Sequence, residues 1–436
     1  MKNFYQLLFN NLIAGVINNF VWFALTFWIY TETRSVFATA IISGFYLTIT
    51  ALSGFWFGSI VDHHKKKSAM IISSIASLAF YALGFLFYIQ WPAEIYKDPS
   101  SWQLWAFVVF LMCGVIAGNI RNIALPTAVT LLVPEKDRDK ANGLTGGMMG
   151  ISFSLTSVLS GVILGFWGMT AVQWFALVFT LLPVLHLLFI SIPEKHIVHA
   201  DLPPGQELPK KGIDIKGTLK VVSLVPGLWG LLFFNVINNL LGGVFMSLMD
   251  AYGLNLVSIE TWGLMWAVLS LAMILGGLII SKVGLGKNPL RTMFLANVIM
   301  WVISIFFTIQ PWIWLLAVGM FFWMLIMPFV ESAEQTIIQK VVPPERQGRV
   351  FGFAQSMEQS ASPLTAFMIG PIAQFIFIPF MTTGAGVGLI GNWFGIGEAR
   401  GMALVFIITG IIGLVITLLA MQTNSYRLLS KKYKTG

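Results

Sequence analysis

Four charged residues lie within long apolar stretches of this 436-residue chain, and their types define the chemistry to consider first. They are Arg121, Glu331, Glu334 and Glu358. A charge inside a membrane-spanning helix costs about 2.5–3.5 kcal/mol to insert, so such residues usually have a partner or a function. A guanidinium and carboxyl groups in this setting could pair with each other, bind a polar substrate or carry a proton.

Arg121 and Glu331 occupy matching positions in two similar stretches. Each lies 13 residues before a proline, Pro134 and Pro344 respectively. A rise of about 1.5 Å per residue places both near the middle of a membrane-spanning helix. Equivalent positions near the middle of the membrane make the two residues candidates for substrate or proton coupling.

Each of the other two carboxyl groups has two possible roles. Glu358 lies in a polar run between Gln355 and Ser360 and could carry a proton, or hydrogen-bond to neighbouring helices. Glu334 is one turn closer to the helix end than Glu331 and could instead reach lipid headgroups. The first half of the chain has no comparable carboxyl group, so a proton path is expected in the second half.

Amide side chains form matching faces on two further apolar stretches. Asn18 and Asn238 belong to a repeated Val-Ile-Asn-Asn sequence that begins at Val16 and again at Val236. Amides in lipid must be hydrogen-bonded or lie in a cavity, so these faces should point inward. Asn18 and Asn238 are therefore candidate substrate or gate contacts, with helix–helix hydrogen bonding as the alternative.

Small residues form a continuous stripe along one stretch, at spacings of three and four residues. The stripe comprises Gly143, Gly147, Gly150, Ser154, Ser157, Gly161 and Gly165. Small side chains let a second helix approach closely. The stripe predicts a helix–helix contact surface whose role is mechanical rather than chemical.

The elements that position these residues follow from composition. Hydrophobic residues make up 57% of the chain and charged residues 10%, with a mean hydropathy of +0.82. Soluble domains are about 45–50% apolar and about 25% charged, so the composition excludes a soluble enzyme, a disordered protein and a secreted module. The single cysteine, Cys113, excludes a disulfide framework and a cysteine-based metal site. The chain is predicted to be a polytopic membrane protein.

Twelve stretches reach the roughly 20 apolar residues that a bilayer requires. They lie near 6–30, 36–60, 67–90, 103–132, 143–167, 170–192, 227–250, 260–282, 290–310, 312–340, 350–378 and 401–422.

The distribution of lysine and arginine supports this layout. If the N-terminus is cytoplasmic, all basic residues except Arg34, Lys97, Arg400 and Arg121 fall in cytoplasmic segments. The positive-inside rule predicts such a bias. Both termini are therefore expected in the cytoplasm, and the net charge of +8 is a consequence of topology that gives no support for nucleic-acid binding.

The chain is predicted to consist of two six-helix halves, residues 1–193 and 223–436, joined by a cytoplasmic linker at 194–222. Besides the Val-Ile-Asn-Asn repeat, Val133-Pro134-Glu135 recurs as Val342-Pro343-Pro344-Glu345, again six spans later. Parallel repeats with a substrate site between them are a transporter design.

The segment from Gly58 to Lys67 resembles the loop signature of the major facilitator superfamily between its helices 2 and 3. Gly58, Asp62, Lys66 and Lys67 fit that signature, whereas His63 and Lys65 replace its arginine and second glycine. The stretches 131–143 and 343–351 are similar to the drug:proton antiporter branch with macrolide-efflux and siderophore-export proteins. The resemblance implies the twelve-helix fold of that superfamily, in which helices 1, 4, 7 and 10 line a central cavity. We therefore expect Arg121 and Glu331 to face each other across the cavity and to exchange their mutual pair for substrate or proton contacts. A static structural ion pair is the alternative.

The same signature makes Gly58, Asp62, Lys66 and Lys67 a candidate gating motif. Asp62 beside three lysines could form a charge latch at a helix end, and a solvated basic turn is the alternative. A metal site at His63-His64 is not expected, because adjacent side chains cannot converge without other ligands.

The sequence therefore predicts an all-α protein of twelve transmembrane helices in two parallel repeats, resembling a secondary active transporter of the cell membrane. We expect proton-coupled efflux of a hydrophobic or amphiphilic small molecule by alternating access, with a lipid or nutrient carrier as runner-up and a membrane-embedded enzyme less favoured. Expected partners are the substrate, protons and the lipid bilayer. No cofactor, metal or nucleic acid is expected, and the protein is expected to be a monomer.

Overall fold

A computed structural model describes residues 2–33, 36–192, 194 and 214–435. Arg34 and most of the predicted linker lie outside the described residues. The described chain is built from α-helices with the following bounds: α1 Lys2–Thr33, α2 Val36–His63, α3 Lys66–Tyr88, α4 Trp102–Gly118, α5 Ile120–Leu132, α6 Arg138–Phe189, α7 Ile215–Leu224, α8 Leu228–Leu254, α9 Ile259–Val283, α10 Pro289–Phe306, α11 Ile313–Val341, α12 Gln347–Ile372, α13 Ile378–Thr382, α14 Ala385–Leu389, α15 Gly391–Phe394, α16 Glu398–Gln422 and α17 Asn424–Thr435.

Eleven helical segments of the described residues are long and apolar enough to cross a membrane. One of them, residues 135–189, contains two spans, because Gly168 interrupts α6 with a φ of 72°. Only glycine adopts that backbone conformation without strain. The predicted twelve-helix architecture is thereby confirmed.

The outer surfaces of these helices are apolar. Leu52, Phe189 and Leu264 are 65%, 86% and 67% exposed, and many other large apolar side chains are similarly uncovered. A water-soluble protein rarely leaves so extensive an apolar surface open. The exposed surface is therefore of the kind that contacts lipid.

Contacts divide the chain into two compact units. Unit 1 comprises residues 1–138, 151–221 and 342–356, and its core contains Phe20, Trp28, Tyr81 and Phe107. It thus includes the beginning of α12.

Unit 2 comprises residues 139–150, 222–341 and 357–436. Its core contains Tyr252, Trp262, Phe394 and Phe406. It includes the beginning of α6, where Gly147 packs against Gly277 of α9.

Candidate functional site

Within unit 1, Asp62 at the end of α2 hydrogen-bonds to the beginning of α12. Its carboxylate is 2% exposed and accepts the backbone N–H of Gly348 at 2.8 Å and that of Arg349 at 3.0 Å. These amides lie in the first turn of α12, where N–H groups have no partner inside the helix. The carboxylate therefore caps α12 at the positive end of its dipole.

Arg349 extends this contact to a second carboxylate in unit 1. Its Nε lies 3.6 Å from Asp62, and its Nη1 donates to Asp214 at 3.0 Å. Asp62 is buried, whereas the Asp214 side chain is 28% exposed. We call Asp62, Asp214, Gly348 and Arg349 the Asp62 latch.

Gly58 permits the close approach on which the Asp62 latch depends. A Cβ at this position would lie 2.6 Å from the carbonyl oxygen of Gly348. That oxygen belongs to the backbone of α12 and cannot rotate away, so a side chain at Gly58 would push the two helices apart.

His63, which stands where the resembling motif has arginine, contacts the Asp62 latch. Its Nδ1 lies 2.8 Å from the carbonyl oxygen of Ser59, and its Nε2 lies 3.0 Å from Nη2 of Arg349. His63 therefore lies between the backbone of α2 and the guanidinium of Arg349.

Lys66 and Lys67, the other members of the candidate gating motif, bind helix ends in unit 1. The Nζ of Lys66 donates to the carbonyl of Val61 at 2.7 Å, and that of Lys67 donates to the carbonyl of Ile190 at 2.8 Å. Both lysines thus satisfy carbonyl groups that a helix end leaves without an internal partner.

Glu194 caps the beginning of α3. Both of its carboxylate oxygens accept the backbone N–H of Lys66, at 2.9 and 2.7 Å. Burial raises the pKa of Glu194, while that hydrogen bond and the charges of Lys66 and Lys65 oppose the rise.

Three carboxyl groups lie near one another in unit 2, two of them beside the amide of Asn235. Asn235 donates to Oε1 of Glu358 at 3.2 Å, and Glu334 lies near enough to both side chains to interact with them. Glu331 is near enough to Glu334 and Glu358 to interact with them through its charge. We call Asn235, Glu331, Glu334 and Glu358 the carboxyl cluster.

The carboxyl cluster contains buried acceptor atoms that have no hydrogen-bond donor among the described residues. Among the described residues, neither Oε2 of Glu331 nor Oδ1 of Asn235 has a hydrogen-bond partner, although both atoms are buried. Carboxyl groups that lie close together in one buried site cannot all be ionised, so the carboxyl cluster is a place where protons can bind.

Arg121 lies in unit 1, where its partners are neutral. Its Nη1 donates to Oδ1 of Asn10 at 2.9 Å, and its Nη2 donates to Oγ of Ser74 at 2.8 Å. Glu331 belongs to unit 2, so the expected pairing of Arg121 with Glu331 stays a prediction.

Asn18 and Asn238 bridge neighbouring helices in comparable ways. Asn18 accepts from the hydroxyl of Tyr81 in α3 at 3.2 Å, and Asn238 donates to Asn297 in α10 at 2.8 Å. Both are partly buried. The contacts are those of the helix–helix alternative, and a role towards substrate stays a prediction.

Sequence reasoning did not assign a function to Asp214, Glu194 or Arg349. Arg349 was visible in the segment that resembles the antiporter branch, but its partners were not. Asp214 and Glu194 are ordinary acidic residues in a polar stretch, and only their contacts distinguish them.

Within the described part of the chain, no group of three or more His, Cys, Asp or Glu side chains is placed to hold a metal ion.

Comparisons with known proteins agree with this architecture. The family model of the Major Facilitator Superfamily matches residues 7–366. Macrolide efflux protein A of Streptococcus pyogenes is 21% identical over 376 residues, covering 83% of this chain and 87% of that protein. Macrolide efflux protein A of Enterococcus faecalis is 22% identical over 322 residues, covering 70% and 92%.

Solved structures show a similar fold. The proton:xylose symporter XylE has a TM-score of 0.66 at 12% identity, covering 96% of this chain and 95% of its own. A bacterial homologue of the iron transporter ferroportin, in an outward-facing state, has a TM-score of 0.64 at 14% identity, covering 97% and 100%.

Proposed function

The chain belongs to the major facilitator superfamily, and from this premise we propose that it exports a hydrophobic or amphiphilic small molecule in exchange for protons. It is a multi-pass membrane transporter rather than an enzyme. The macrolide efflux proteins support export as the direction, and the cell membrane as the location.

The carboxyl cluster is the observation that carries proton coupling. Glu334 and Glu358 are neighbours, and a third carboxyl group, Glu331, lies near enough to interact with them through its charge and has an unused acceptor. Like charges in one partly buried site cannot all ionise, so proton uptake and release there change the net charge of the site. We propose that this change is linked to substrate binding and release, with Arg121, Asn18 and Asn238 as further contacts.

The Asp62 latch is the proposed cytoplasmic gate. Alternating access requires contacts that form in one state and break in another. Asp62 caps α12 through two backbone hydrogen bonds, so movement of α12 away from α2 would break both at once.

The proton-coupling role is tested by replacing Glu358 with glutamine in proteoliposomes. Glutamine keeps the shape of the side chain but cannot ionise, so we expect pH-gradient-driven transport of a radiolabelled macrolide to fall at least about tenfold. Macrolide binding, measured on the purified protein, should change by less than about threefold, because the substitution removes a proton-binding group and leaves the substrate contacts in place.

Glu398→Gln is the matched control, since Glu398 is an exposed carboxylate of unit 2 outside the carboxyl cluster. Transport by Glu358→Gln that still follows the proton gradient would overturn the coupling role. Gradient-driven movement of the macrolide into cells rather than out of them would favour a nutrient or lipid carrier.

The proposed orientation, with both termini in the cytoplasm, is tested with single cysteines. In a Cys113→Ser background, Lys97→Cys and Lys136→Cys place one thiol in each of two exposed loops on opposite sides. A membrane-impermeant maleimide applied to intact cells should label Lys97→Cys and leave Lys136→Cys unlabelled until the cells are opened. The reverse pattern would contradict the orientation.

A further inference from the structure

The last helix, α17, is amphipathic and follows the last membrane-spanning helix directly. A single residue, Thr423, separates the end of α16 at Gln422 from the start of α17 at Asn424. One residue spans at most about 3.6 Å. The beginning of α17 therefore lies at the same membrane depth as the end of α16, where lipid headgroups are found.

One face of α17 is docked on unit 2. Leu429 is 1% exposed, and Ser430 accepts a hydrogen bond from the side chain of Asn288 at 2.8 Å. The ring of Tyr426 packs edge-on against Phe294. A Cβ on Gly230 would lie 2.5 Å from Cβ of Ser425, so the glycine makes room for the helix. The position of α17 is thus defined by packing.

The opposite face of α17 is basic. Arg427, Lys431, Lys432 and Lys434 are exposed there, and α17 contains no acidic residue. Leu428, next to Arg427, is 50% exposed. Lys287 and Arg291 are also exposed, on either side of the Asn288 to which α17 is bonded.

We propose that this basic face of α17 binds the headgroups of anionic phospholipids. The face combines several positive charges with an exposed leucine, at the depth where headgroups meet acyl chains. Each basic residue near an anionic membrane surface adds to the attraction between helix and lipid. Scattered lysines would satisfy the positive-inside rule equally well. A helix docked so that its basic residues share one surface offers a site for several phosphates together.

The test compares lipid retention by native mass spectrometry after purification in mixed lipids. We expect the protein to retain phosphatidylglycerol over phosphatidylcholine, and the triple variant Arg427→Gln, Lys432→Gln, Lys434→Gln to bind phosphatidylglycerol at least about tenfold more weakly. The triple variant Lys136→Gln, Lys216→Gln, Lys220→Gln is the matched control. It removes the same charge from exposed residues of unit 1 and should retain the lipid as the unaltered protein does.

Hydrogen exchange of residues 424–435 supplies a second readout. In nanodiscs with about 30% phosphatidylglycerol, α17 should exchange more slowly than in phosphatidylcholine alone, and about 0.5 M salt should remove the difference. Equal retention of the two lipids, equal losses in both triple variants, or full displacement by millimolar inorganic phosphate would each overturn the proposal. Slower exchange that requires an added soluble protein would point to a protein partner and would also overturn it.

Discussion

Replacing Asp62 with asparagine is expected to release the beginning of α12, with amide exchange at Gly348 and Arg349 accelerating about 100-fold. The carboxylate is buried, caps two backbone amides and lies beside the Arg349 guanidinium. Removing one partner of such a buried charge contact costs about 3 kcal/mol or more, which corresponds to about a 100-fold change in the opening equilibrium. Hydrogen exchange of a peptide that contains residues 345–352 measures the effect directly.

Transport by the same variant is expected to fall at least about tenfold, because asparagine retains only one acceptor for the two amides. Asp98→Asn is a close control. Asp98 also accepts a backbone N–H, from Ser100 at 2.8 Å, but it is exposed. Unchanged exchange at Gly348 and Arg349 in Asp62→Asn would show that the Asp62 latch does not hold α12.

The second large effect is expected from a single added methyl group, in Gly277→Ala. A Cβ at Gly277 would run into Cα of Gly147 and lie 2.6 Å from the carbonyl oxygen of Gly143. Both are backbone atoms of α6, so no change of rotamer relieves the clash, and α6 and α9 must separate. Overpacking of this kind costs about 1–3 kcal/mol. We expect a thermal unfolding midpoint lower by about 1–3 °C and transport reduced at least about tenfold.

Gly263→Ala tests whether the effect comes from the contact or from the change of residue. Gly263 lies on the same helix, α9, and nothing lies within 4 Å of an added Cβ. Alanine is the better helix former by about 1 kcal/mol, so this control should be neutral or slightly stabilising. Similar unfolding midpoints for the two variants would contradict the proposed role of the contact.

The small-residue stripe shows which helix contacts residue spacing alone can predict and which it cannot. Its first members, Gly143 and Gly147, approach α9 closely, as a small-residue face predicts. Gly161 and Gly165 have the same spacing, yet an added Cβ at either would meet nothing within 4 Å. Spacing identifies a face on which close packing is possible. It does not identify the neighbour, which depends on the path of the whole helix.

The charged residues in the apolar stretches show the same limit. The free-energy cost of placing a charge in lipid distinguishes Arg121 and the three glutamates in the sequence alone. The sequence did not show that Glu334 and Glu358 lie near Asn235, because these residues belong to three different helices whose packing the sequence does not give. Nor did it show that Arg121 is bonded to Asn10 and Ser74 within unit 1.

The sequence by itself determined that this is a twelve-helix membrane protein, because the bilayer acts on each segment separately. Every span must be about 20 residues long and apolar, and its backbone must bond internally, so length and composition suffice to recognise it. Only the tertiary structure decided that the Asp62 carboxylate caps α12 and that Asp214 binds Arg349. Such contacts join residues more than 100 positions apart, and they arise from helix packing, which the hydropathy of a single segment does not encode.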